Sequence, residues 1–238
     1  MSTMVLVRHA QATPFEADTD RLTELGVRQA ETLADFWLET GVEFDEIHTG
    51  TLQRQTRTAR VVADRMHAAR RPWPESTVSI GFNEYDGDGI LDVLAEKLAS
   101  DDADFRVLLD AARDARGTAE QNRHFQRMIE HVADRWQRGD LVDLTVESRP
   151  DFCARVDAAI DRVLDGGSGR HVAVFTSGGV IGRTLQRVLR APDETALALN
   201  WRIRNASLTQ LTFSGRRVSL DTFNVTAHLQ VAGLATHR

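Results

Sequence analysis

Hydrophobic and polar residues alternate along the chain in two patterns. Short runs of strand-forming residues between turn signals predict β-strands, whereas apolar residues that recur every three or four positions predict helices with one buried face. The predicted strands are Met4–Arg8, Phe44–His48, Val78–Ile80 and His171–Thr176, followed by a hairpin of Ile203–Phe213 and Arg217–Phe223. The alternation of strands with helices predicts an α/β fold, with a three-layer core in which helices flank a mostly parallel sheet.

The helix after the first strand illustrates the second pattern. Thr23 is a helix-capping residue type and Gly41 is typical of a helix C-terminus. The apolar stripe between them consists of Ala30, Leu33, Ala34 and Trp37. This spacing predicts that Gln29 and Glu31 lie on the outer face of the helix.

Between about residues 83 and 147 the chain has helical patterns and few strand formers. Thr118 and Gln121 have the spacing of a capping box at the start of one such helix. Its apolar stripe is Phe125, Met128, Ile129, Val132 and Trp136. We therefore predict a single domain of residues 1–238 with an inserted helical cap at about residues 83–147.

Polar residues follow three of the predicted parallel strands, at the point where each strand ends. They are Arg8-His9, Thr49-Gly50-Thr51 and Thr176-Ser177-Gly178-Gly179. The carboxyl ends of parallel strands meet at one edge of a sheet, and open α/β sheets bind their ligands there. These residues are therefore expected to form one site.

Composition narrows what this site can bind. The chain has 238 residues, a formal net charge of -6 and a pI near 5.8, which argues against a general nucleic-acid or anionic-membrane binder and favours a small substrate. The single cysteine, Cys153, excludes an internal disulfide and fits a reducing compartment. No apolar segment reaches the length that crosses a bilayer. We expect a cytoplasmic protein; its oligomeric state is not set by the sequence, and a homodimer is compatible with it.

Arg8 and His9 suit phosphate chemistry. A guanidinium offers a planar fork to phosphate oxygens, and neutral imidazole is a nucleophile near physiological pH. Arg8 is therefore expected to hold a phosphoryl group that His9 attacks, while the other ring nitrogen of His9 donates to a backbone carbonyl. Arg54 lies in the first turn of the predicted second helix, where the helix dipole favours an anion, and is expected to clamp the same group. For the Arg8-His9 dipeptide alone, a solvated strand end is the simpler interpretation.

Three groups of residues form a longer pattern of fixed order and spacing. They are Leu6-Val7-Arg8-His9-Ala10-Gln11-Ala12, then Leu22-Thr23-Glu24-Leu25-Gly26 with Gln29-Ala30, then Thr51-Leu52-Gln53-Arg54 with Thr58-Ala59. In these residues the chain resembles the histidine phosphatase superfamily, also called phosphoglycerate mutase-like, and the resemblance extends to Asn224 and His228-Leu229. Two positions depart from the family: Ala10 replaces the usual glycine, and Ser177 stands where a second active-site histidine is expected.

The resemblance implies metal-independent hydrolysis of a phosphomonoester through a phosphohistidine intermediate on His9. Glu84 loosely matches the family's general acid; Asp86 and Asp88 are rivals for that role, and a solvated acidic loop is the structural alternative. Ser177 offers a neutral hydroxyl where a charged donor is expected, which predicts slow turnover. Two other functions stay open: phosphoglycerate mutase-type phosphotransfer, and a phospho-ligand binding module with little or no turnover.

The predicted catalytic residues are His9, Glu84, Arg8, Arg54 and Ser177. Further phosphate- or substrate-binding residues are Gln11, Thr13, Gly178 and His228, beside Arg8, Arg54 and Ser177. Of these, His228 is better explained as a structural histidine of the C-terminal segment. His124 and His131 lie two turns apart on a predicted helix; such a pair is more often a surface feature than a metal site, so no metal is predicted. No cofactor is predicted either, and the expected partner is a small phosphorylated metabolite.

Overall fold

The computed structural model describes residues 1–13, 20–230 and 232–236, and these fall into two compact units. The first unit comprises Met1–Glu84 with Arg155–Arg238, and the second comprises Tyr85–Ala154. The second unit covers most of the segment that the sequence predicts to be inserted. That this segment acts as a cap stays a prediction.

Six strands of the described residues form one sheet, in the first unit. They are β1 (Ser2–Arg8), β2 (Glu46–Thr49), β3 (Ser76–Val78), β4 (His171–Thr176), β5 (Leu208–Ser214) and β6 (Arg217–Val225). Their order in the sheet is β3-β2-β4-β1-β5-β6. Strands β3, β2, β4 and β1 are parallel to one another, whereas β5 is antiparallel to both β1 and β6. The predicted α/β fold with a mostly parallel sheet is therefore confirmed.

Helices of the described residues follow the strands in the expected alternation. In chain order they are α1 (Glu24–Thr40), α2 (Gln53–Ala68), a 3-10 turn (Ile80–Phe82), α3 (Gly87–Gly89), a π-helical segment (Ile90–Leu94), α4 (Ala95–Asp101), α5 (Ala103–Asp114), α6 (Gln121–Arg138), α7 (Arg149–Leu164), α8 (Gly178–Leu189), α9 (Glu194–Asn200) and α10 (Ala227–Gln230). Helices α3 to α6 belong to the second unit, and α7 begins in it and ends in the first. Within the described residues, no helix is both long and apolar enough to span a membrane.

The sheet is buried on both faces because its central strands are apolar on both. Val5 and Val7 of β1 pack, with Phe175 of β4, into a core that includes the apolar stripes of α1 and α2. Met4 and Leu6, which alternate with those residues and point to the opposite face, are also inaccessible to solvent. Continuous apolar strands of this kind are characteristic of parallel sheets covered on both sides.

Helix α1 has the predicted ends and one unpredicted buried residue. Thr23 accepts a hydrogen bond from the Gly26 amide, and Gly41 ends the helix in the left-handed conformation with a φ of 67°. The prediction that Gln29 lies outside is wrong, because its side chain is completely buried. The amide of Gln29 is nevertheless satisfied: Oε1 accepts from the Gln11 amide at 2.9 Å and Nε2 donates to the Leu234 carbonyl at 2.8 Å.

The predicted first strand of the closing hairpin begins later than expected. Residues 203–207 leave the strand conformation, and β5 starts at Leu208. Ala206 has a left-handed φ of 51°, which a residue with a Cβ rarely adopts. This bend carries the carbonyl of Ser207 to the Arg8 amide at 3.1 Å and the amide of Ala206 to the His9 carbonyl at 3.2 Å. The departure from strand geometry therefore brings residues 203–207 to the end of β1.

Helix α6 of the second unit begins at Gln121 rather than at the predicted Thr118 cap. The side chain of Thr118 accepts from the Glu120 amide at 3.2 Å, and that of Gln121 accepts from the Gly117 amide at 2.7 Å. The two residues therefore stabilise the turn before the helix. The buried stripe is Met128, Ile129, Val132, Ala133 and Trp136, so Phe125, which is half-buried, is replaced in it by Ala133.

Candidate active site

The ends of β1, β4 and β2 meet at one edge of the sheet and carry the predicted polar junctions. Arg8 is level with Thr176 in the pairing of β1 with β4, and the His9 amide donates to the Thr176 carbonyl at 2.8 Å. On the other side of β4, the Gly50 amide donates to the Phe175 carbonyl at 3.3 Å. The structure therefore places the three junctions side by side, although residues 8 and 176 are far apart in the sequence.

The imidazole of His9 is held in one tautomer. Its Nδ1 lies 2.8 Å from the Ala10 carbonyl oxygen. A carbonyl only accepts hydrogen bonds, so Nδ1 carries the hydrogen and Nε2 carries the lone pair of the neutral ring. The carbonyl of His9 accepts from the Ala206 amide and, at 3.4 Å, from Asn205 Nδ2. Ring and backbone of His9 are thus both fixed, and the residue is 7% exposed.

The guanidinium of Arg8 is buried beside His9. Its Nη1 donates to the carbonyl of Ile203, and the residue is 5% exposed. A buried guanidinium requires hydrogen-bond acceptors to offset the loss of water. The bend at residues 203–207 supplies the Ile203 carbonyl as an acceptor for Arg8. This contact explains why the segment departs from strand geometry next to Arg8.

Arg54 lies in the first turn of α2, as predicted, and contacts a carboxylate. Its Nη1 lies 2.6 Å from Oδ1 of Asp20, and the other Asp20 oxygen accepts from the Gln53 amide. A helix N-terminus attracts any anion through its unpaired amides and its dipole. Asp20, which the sequence analysis did not single out, therefore sits where the phosphoryl group was predicted to bind, and Arg54's role in binding phosphate stays a prediction.

Ser177 is completely buried and is hydrogen-bonded to a glutamine that the sequence analysis missed. Gln55 Nε2 donates to Ser177 Oγ at 2.8 Å and to the Phe82 carbonyl at 2.9 Å. The same carbonyl accepts from Thr176 Oγ1 at 2.7 Å. Gly178, the next predicted site residue, is the buried first residue of α8. Gln55 therefore joins the end of β4 to the segment that follows β3.

A signal for Gln55 is present in the sequence. Gln55 precedes Thr58 and Ala59 by three and four positions, so it shares with them the face of α2 that is buried. A polar side chain on a buried helix face needs partners, and such a residue is a candidate for a structural or functional contact. The sequence could not identify these partners, because they follow β4 and β3 and are distant from Gln55 along the chain.

Gly50 leaves the space that the Gln55 amide occupies. A Cβ at Gly50 would lie 1.9 Å from Gln55 Oε1 and 2.5 Å from Asn83 Oδ1. Asn83 Oδ1 in turn accepts from the Thr51 amide at 2.7 Å. Glycine is therefore the residue that permits this close approach of α2 and the Asn83 segment to the end of β2.

Glu84 lies at the N-terminus of α8, two residues after Phe82, whose carbonyl accepts from Gln55 and Thr176. Its Oε2 accepts from the Gly179 amide at 3.0 Å. Arg155 fixes the backbone here by donating from Nη2 to the Glu84 carbonyl at 2.9 Å. The carboxylate is thereby held on the same helix N-terminus that Ser177 begins.

The two rival acids occupy different surroundings from Glu84. Asp86 caps α3, since its Oδ1 accepts from the Gly89 amide at 2.9 Å, and Asp88 is exposed. The assignment of Glu84 as general acid stays a prediction.

Gln11 and Thr13 contribute to the segment that follows His9. Gln11 Oε1 accepts from Thr23 Oγ1 at 2.9 Å, and Thr13 Oγ1 donates to the Arg21 carbonyl at 3.2 Å. These bonds connect the segment to the start of α1. Binding of substrate by either side chain stays a prediction.

His228 is part of the packing of the C-terminal segment. Its Nε2 lies 3.0 Å from the Ala206 carbonyl, and its ring stacks on Phe36 with 5.5 Å between centroids. Burial lowers the pKa of His228 to about 4, against an ordinary value of 6.5. Its imidazole is therefore neutral near physiological pH. These contacts are those of a structural histidine, and substrate binding by His228 stays a prediction.

A second missed residue, Asn205, connects the site to the C-terminal segment. Besides its bond to the His9 carbonyl, Asn205 Oδ1 accepts from Thr236 Oγ1 at 3.0 Å. Thr236 also accepts from Gln29 Nε2 at 2.8 Å. The buried Gln29 and Asn205 therefore hold the backbone of residues 9–11 from two sides.

Within residues 1–13, 20–230 and 232–236, no three metal-ligating side chains cluster. His131, one of the two histidines weighed as ligands, stacks on Phe105 with 5.3 Å between ring centroids. Metal-independence stays a prediction.

Known proteins resemble this chain in sequence pattern and in fold. The sequence profile of the histidine phosphatase superfamily (branch 1) matches residues 4–89 and 110–226. A search of curated proteins found no match. Among solved structures, alpha-ribazole phosphatase from Shigella flexneri is 18% identical, with a TM-score of 0.62 over 94% of this chain and 96% of that one.

Two further solved structures are similar over nearly the whole chain. Phosphoglycerate mutase from Bacillus anthracis is 18% identical, with a TM-score of 0.63 over 96% of this chain and 95% of that one. A mycobacterial glucosyl-3-phosphoglycerate phosphatase in complex with VO3 is 21% identical, with a TM-score of 0.62 over 94% of this chain and 99% of that one. At these identities the similarity concerns the fold.

Proposed function

The chain belongs to the histidine phosphatase superfamily (branch 1), and we propose that it hydrolyses small phosphomonoesters through a phosphohistidine on His9, without a metal. The observation that carries this proposal is the bond from His9 Nδ1 to the Ala10 carbonyl. It leaves Nε2 as the nucleophilic nitrogen at the edge where parallel α/β sheets bind ligands.

In the first step, His9 Nε2 attacks phosphorus and the ester oxygen leaves. Phosphoryl transfer depends on positioning and on neutralising charge, which Arg8 and Arg54 supply. Arg54 is paired with Asp20, so the substrate phosphoryl group takes the place of the Asp20 carboxylate on that guanidinium. Ser177 adds a neutral hydrogen bond, which is weaker than a charged one and makes the enzyme slow.

Glu84 donates a proton to the leaving oxygen in this mechanism. In the second step the same carboxylate takes a proton from water, which attacks the phosphohistidine and releases phosphate. The position of Glu84 on the Gly179 amide, at the helix that follows Ser177, supports this role.

Two of the similar structures are phosphatases by name, and the substrate named for one, glucosyl-3-phosphoglycerate, is a small phosphorylated metabolite. They support a small phosphorylated metabolite as the ligand. The VO3 complex makes vanadate a suitable probe for this site, because vanadate adopts the five-coordinate geometry of the transferring phosphoryl group.

The deciding experiment is a screen of phosphorylated metabolites and aryl phosphates, with and without chelator, followed by rapid quenching to trap acid-labile phosphoenzyme. We expect chelator-insensitive hydrolysis and a phosphoenzyme that His9→Ala abolishes. His67→Ala, which removes an exposed histidine at the end of α2, is the matched control. Binding of vanadate without any turnover would instead identify a phospho-ligand binding module, and phosphate transfer between two carbons of one substrate would identify a mutase.

A further inference from the structure

Ser177 has a buried hydroxyl whose hydrogen has no acceptor within the part of the chain that the structure describes. The hydroxyl oxygen is engaged by Gln55 Nε2, and Ser177 does not cap α8 with its side chain. An amide nitrogen can only donate, so in this bond Ser177 Oγ is the acceptor. A buried donor without an acceptor is costly, and such groups point to a ligand.

Gln55 cannot serve as the missing acceptor for the Ser177 hydroxyl hydrogen. Its amide nitrogen has two hydrogens, and each has one acceptor: Ser177 Oγ at 2.8 Å and the Phe82 carbonyl at 2.9 Å. The Gln55 amide therefore cannot rotate to accept from Ser177 without placing its oxygen against the Phe82 carbonyl. The polarity of the bond is fixed by Phe82, and Phe82 is fixed by Thr176 Oγ1 at 2.7 Å.

We propose that Gln55 is a positioning residue that makes Ser177 a hydrogen-bond donor to the transferring phosphoryl group. Gln55 occupies an acceptor position of Ser177 Oγ and leaves the O–H for the substrate. Ser177 directly follows Thr176, whose carbonyl accepts from the His9 amide, so Ser177 and His9 leave neighbouring strands at the same edge of the sheet. The inference rests on the proposed function, because the acceptor is the group that His9 transfers.

The test must separate this role from simple packing, because Gln55 is completely buried and also holds Phe82. Gln55→Met keeps length and removes both hydrogen bonds, and Ser177→Ala removes the hydroxyl. A double-mutant cycle of these two changes measures whether Gln55 acts through Ser177. The readouts are kcat and KM on an aryl phosphate and, independently of turnover, the Kd of vanadate.

We expect Gln55→Met to lower kcat about tenfold with KM nearly unchanged, as for loss of one aligned neutral hydrogen bond in the transition state. In the Ser177→Ala background the same change is expected to lower kcat less than about twofold. Vanadate affinity should follow the same cycle. Gln55→Glu, which keeps the shape and reverses the polarity of the bond to Ser177, is expected to lower kcat at least as much as Gln55→Met.

Gln186→Leu is the matched control, since it removes another buried glutamine whose amide contacts Asp193 and whose oxygen accepts from Arg183. It should leave kcat and vanadate affinity unchanged. Losses that multiply in the double variant would overturn the inference, as would wild-type kcat in folded Gln55→Met. A wild-type chain that binds vanadate with the expected coupling but hydrolyses nothing would remove the proposed function and keep the inference; a chain that does neither would remove both.

Discussion

The side-chain amide of Gln55 occupies space next to the Ser177 hydroxyl. Ser177 is inaccessible to solvent and Gln55 Nε2 lies within hydrogen-bond distance of its oxygen, so an imidazole at position 177 would need the space that Gln55 fills. The serine and the glutamine therefore behave as one pair in packing and not as two independent residues.

The family pattern has a histidine at position 177, where this chain has serine. Ser177→His alone should destabilise the protein by about 1–3 kcal/mol, the usual range for overpacking a core. Ser177→His with Gln55→Ala should regain stability and raise kcat on an aryl phosphate about tenfold or more above wild type, because a protonated imidazole is a charged donor. Urea unfolding and steady-state kinetics on the single and double variants test this. A single variant that is as stable as wild type would contradict it.

Glu84 gives a second prediction at this scale. Glu84→Gln should slow hydrolysis of alkyl phosphates at least about a hundredfold and that of p-nitrophenyl phosphate far less, because an alkoxide needs its proton in the transition state and a nitrophenolate hardly does. The ratio of kcat/KM on the two substrates measures this. Asp86→Asn, which alters only the cap of α3, is the comparison variant. Equal losses on both esters would assign Glu84 to binding.

Residues with a chemical signature could be predicted from the sequence, whereas residues that act by contact could not. Arg8 and His9 stand out because charged groups end an apolar strand, and the structure places them at the sheet edge as expected. Asp20 and Asn205 carry no such signal. Asp20 matters because it pairs with Arg54, and Asn205 matters because it donates to the His9 carbonyl. Both partners are distant in sequence.

At the scale of single elements, prediction succeeded where local chemistry decides and failed where tertiary contacts decide. Thr23 and Gly41 set the ends of α1 through capping and a left-handed residue, both of which are local. The start of β5 was misplaced because residues 203–207 bend to reach Arg8 and His9. Burial of Gln29 was missed for the same reason, since its partners are Gln11 and the C-terminal segment.

The stability of the folded chain is expected to depend on pH through His228, which is buried in α10. The pKa of His228 in the folded chain is lowered to about 4 by burial, below its ordinary 6.5. As the pH falls from 6.5 towards 4, the unfolded chain binds a proton that the folded chain excludes, so stability is lost in this window and is fully present above it. The loss from this group is on the order of 3 kcal/mol.

His228→Gln removes that titration while keeping a side chain that can donate to the Ala206 carbonyl. Free energies of unfolding in urea, measured across the same pH window, should therefore fall less steeply for the variant than for wild type. His67→Gln, at an exposed position, should follow the wild-type curve. Identical curves for wild type and His228→Gln would show that His228 is protonated in the folded chain as easily as in the unfolded one.

For the molecule as a whole, the mostly parallel sheet was predictable from alternation, whereas the point where the chain returns from the second unit to the first was not. The switch from strand to helix patterns near residue 83 marks the change of architecture, and the first unit ends at Glu84. The return at Arg155 lies inside α7, whose apolar spacing is continuous across that point, so no pattern could reveal it.

Ligand binding should be visible in global stability. Vanadate at about a hundred times its Kd is expected to stabilise the folded chain by roughly 2.7 kcal/mol, and hence to raise Tm by several degrees. Differential scanning calorimetry should show this shift in wild type and a smaller one in His9→Ala, where the nucleophile is absent. Equal shifts in both proteins would mean that vanadate binds outside the proposed pocket.

The strand order also dictates the sequence of events when the chain emerges from the ribosome. β4 lies between β1 and β2, so the first two strands to be synthesised do not pair with each other and join one sheet only when residues 171–176 have emerged. By then the whole of Tyr85–Ala154 has been translated. Until that moment β1 and β2 present unpaired edges, a state that invites aggregation or chaperone binding. His9, Gly50 and Ser177 are thus assembled in the same late step that completes the sheet.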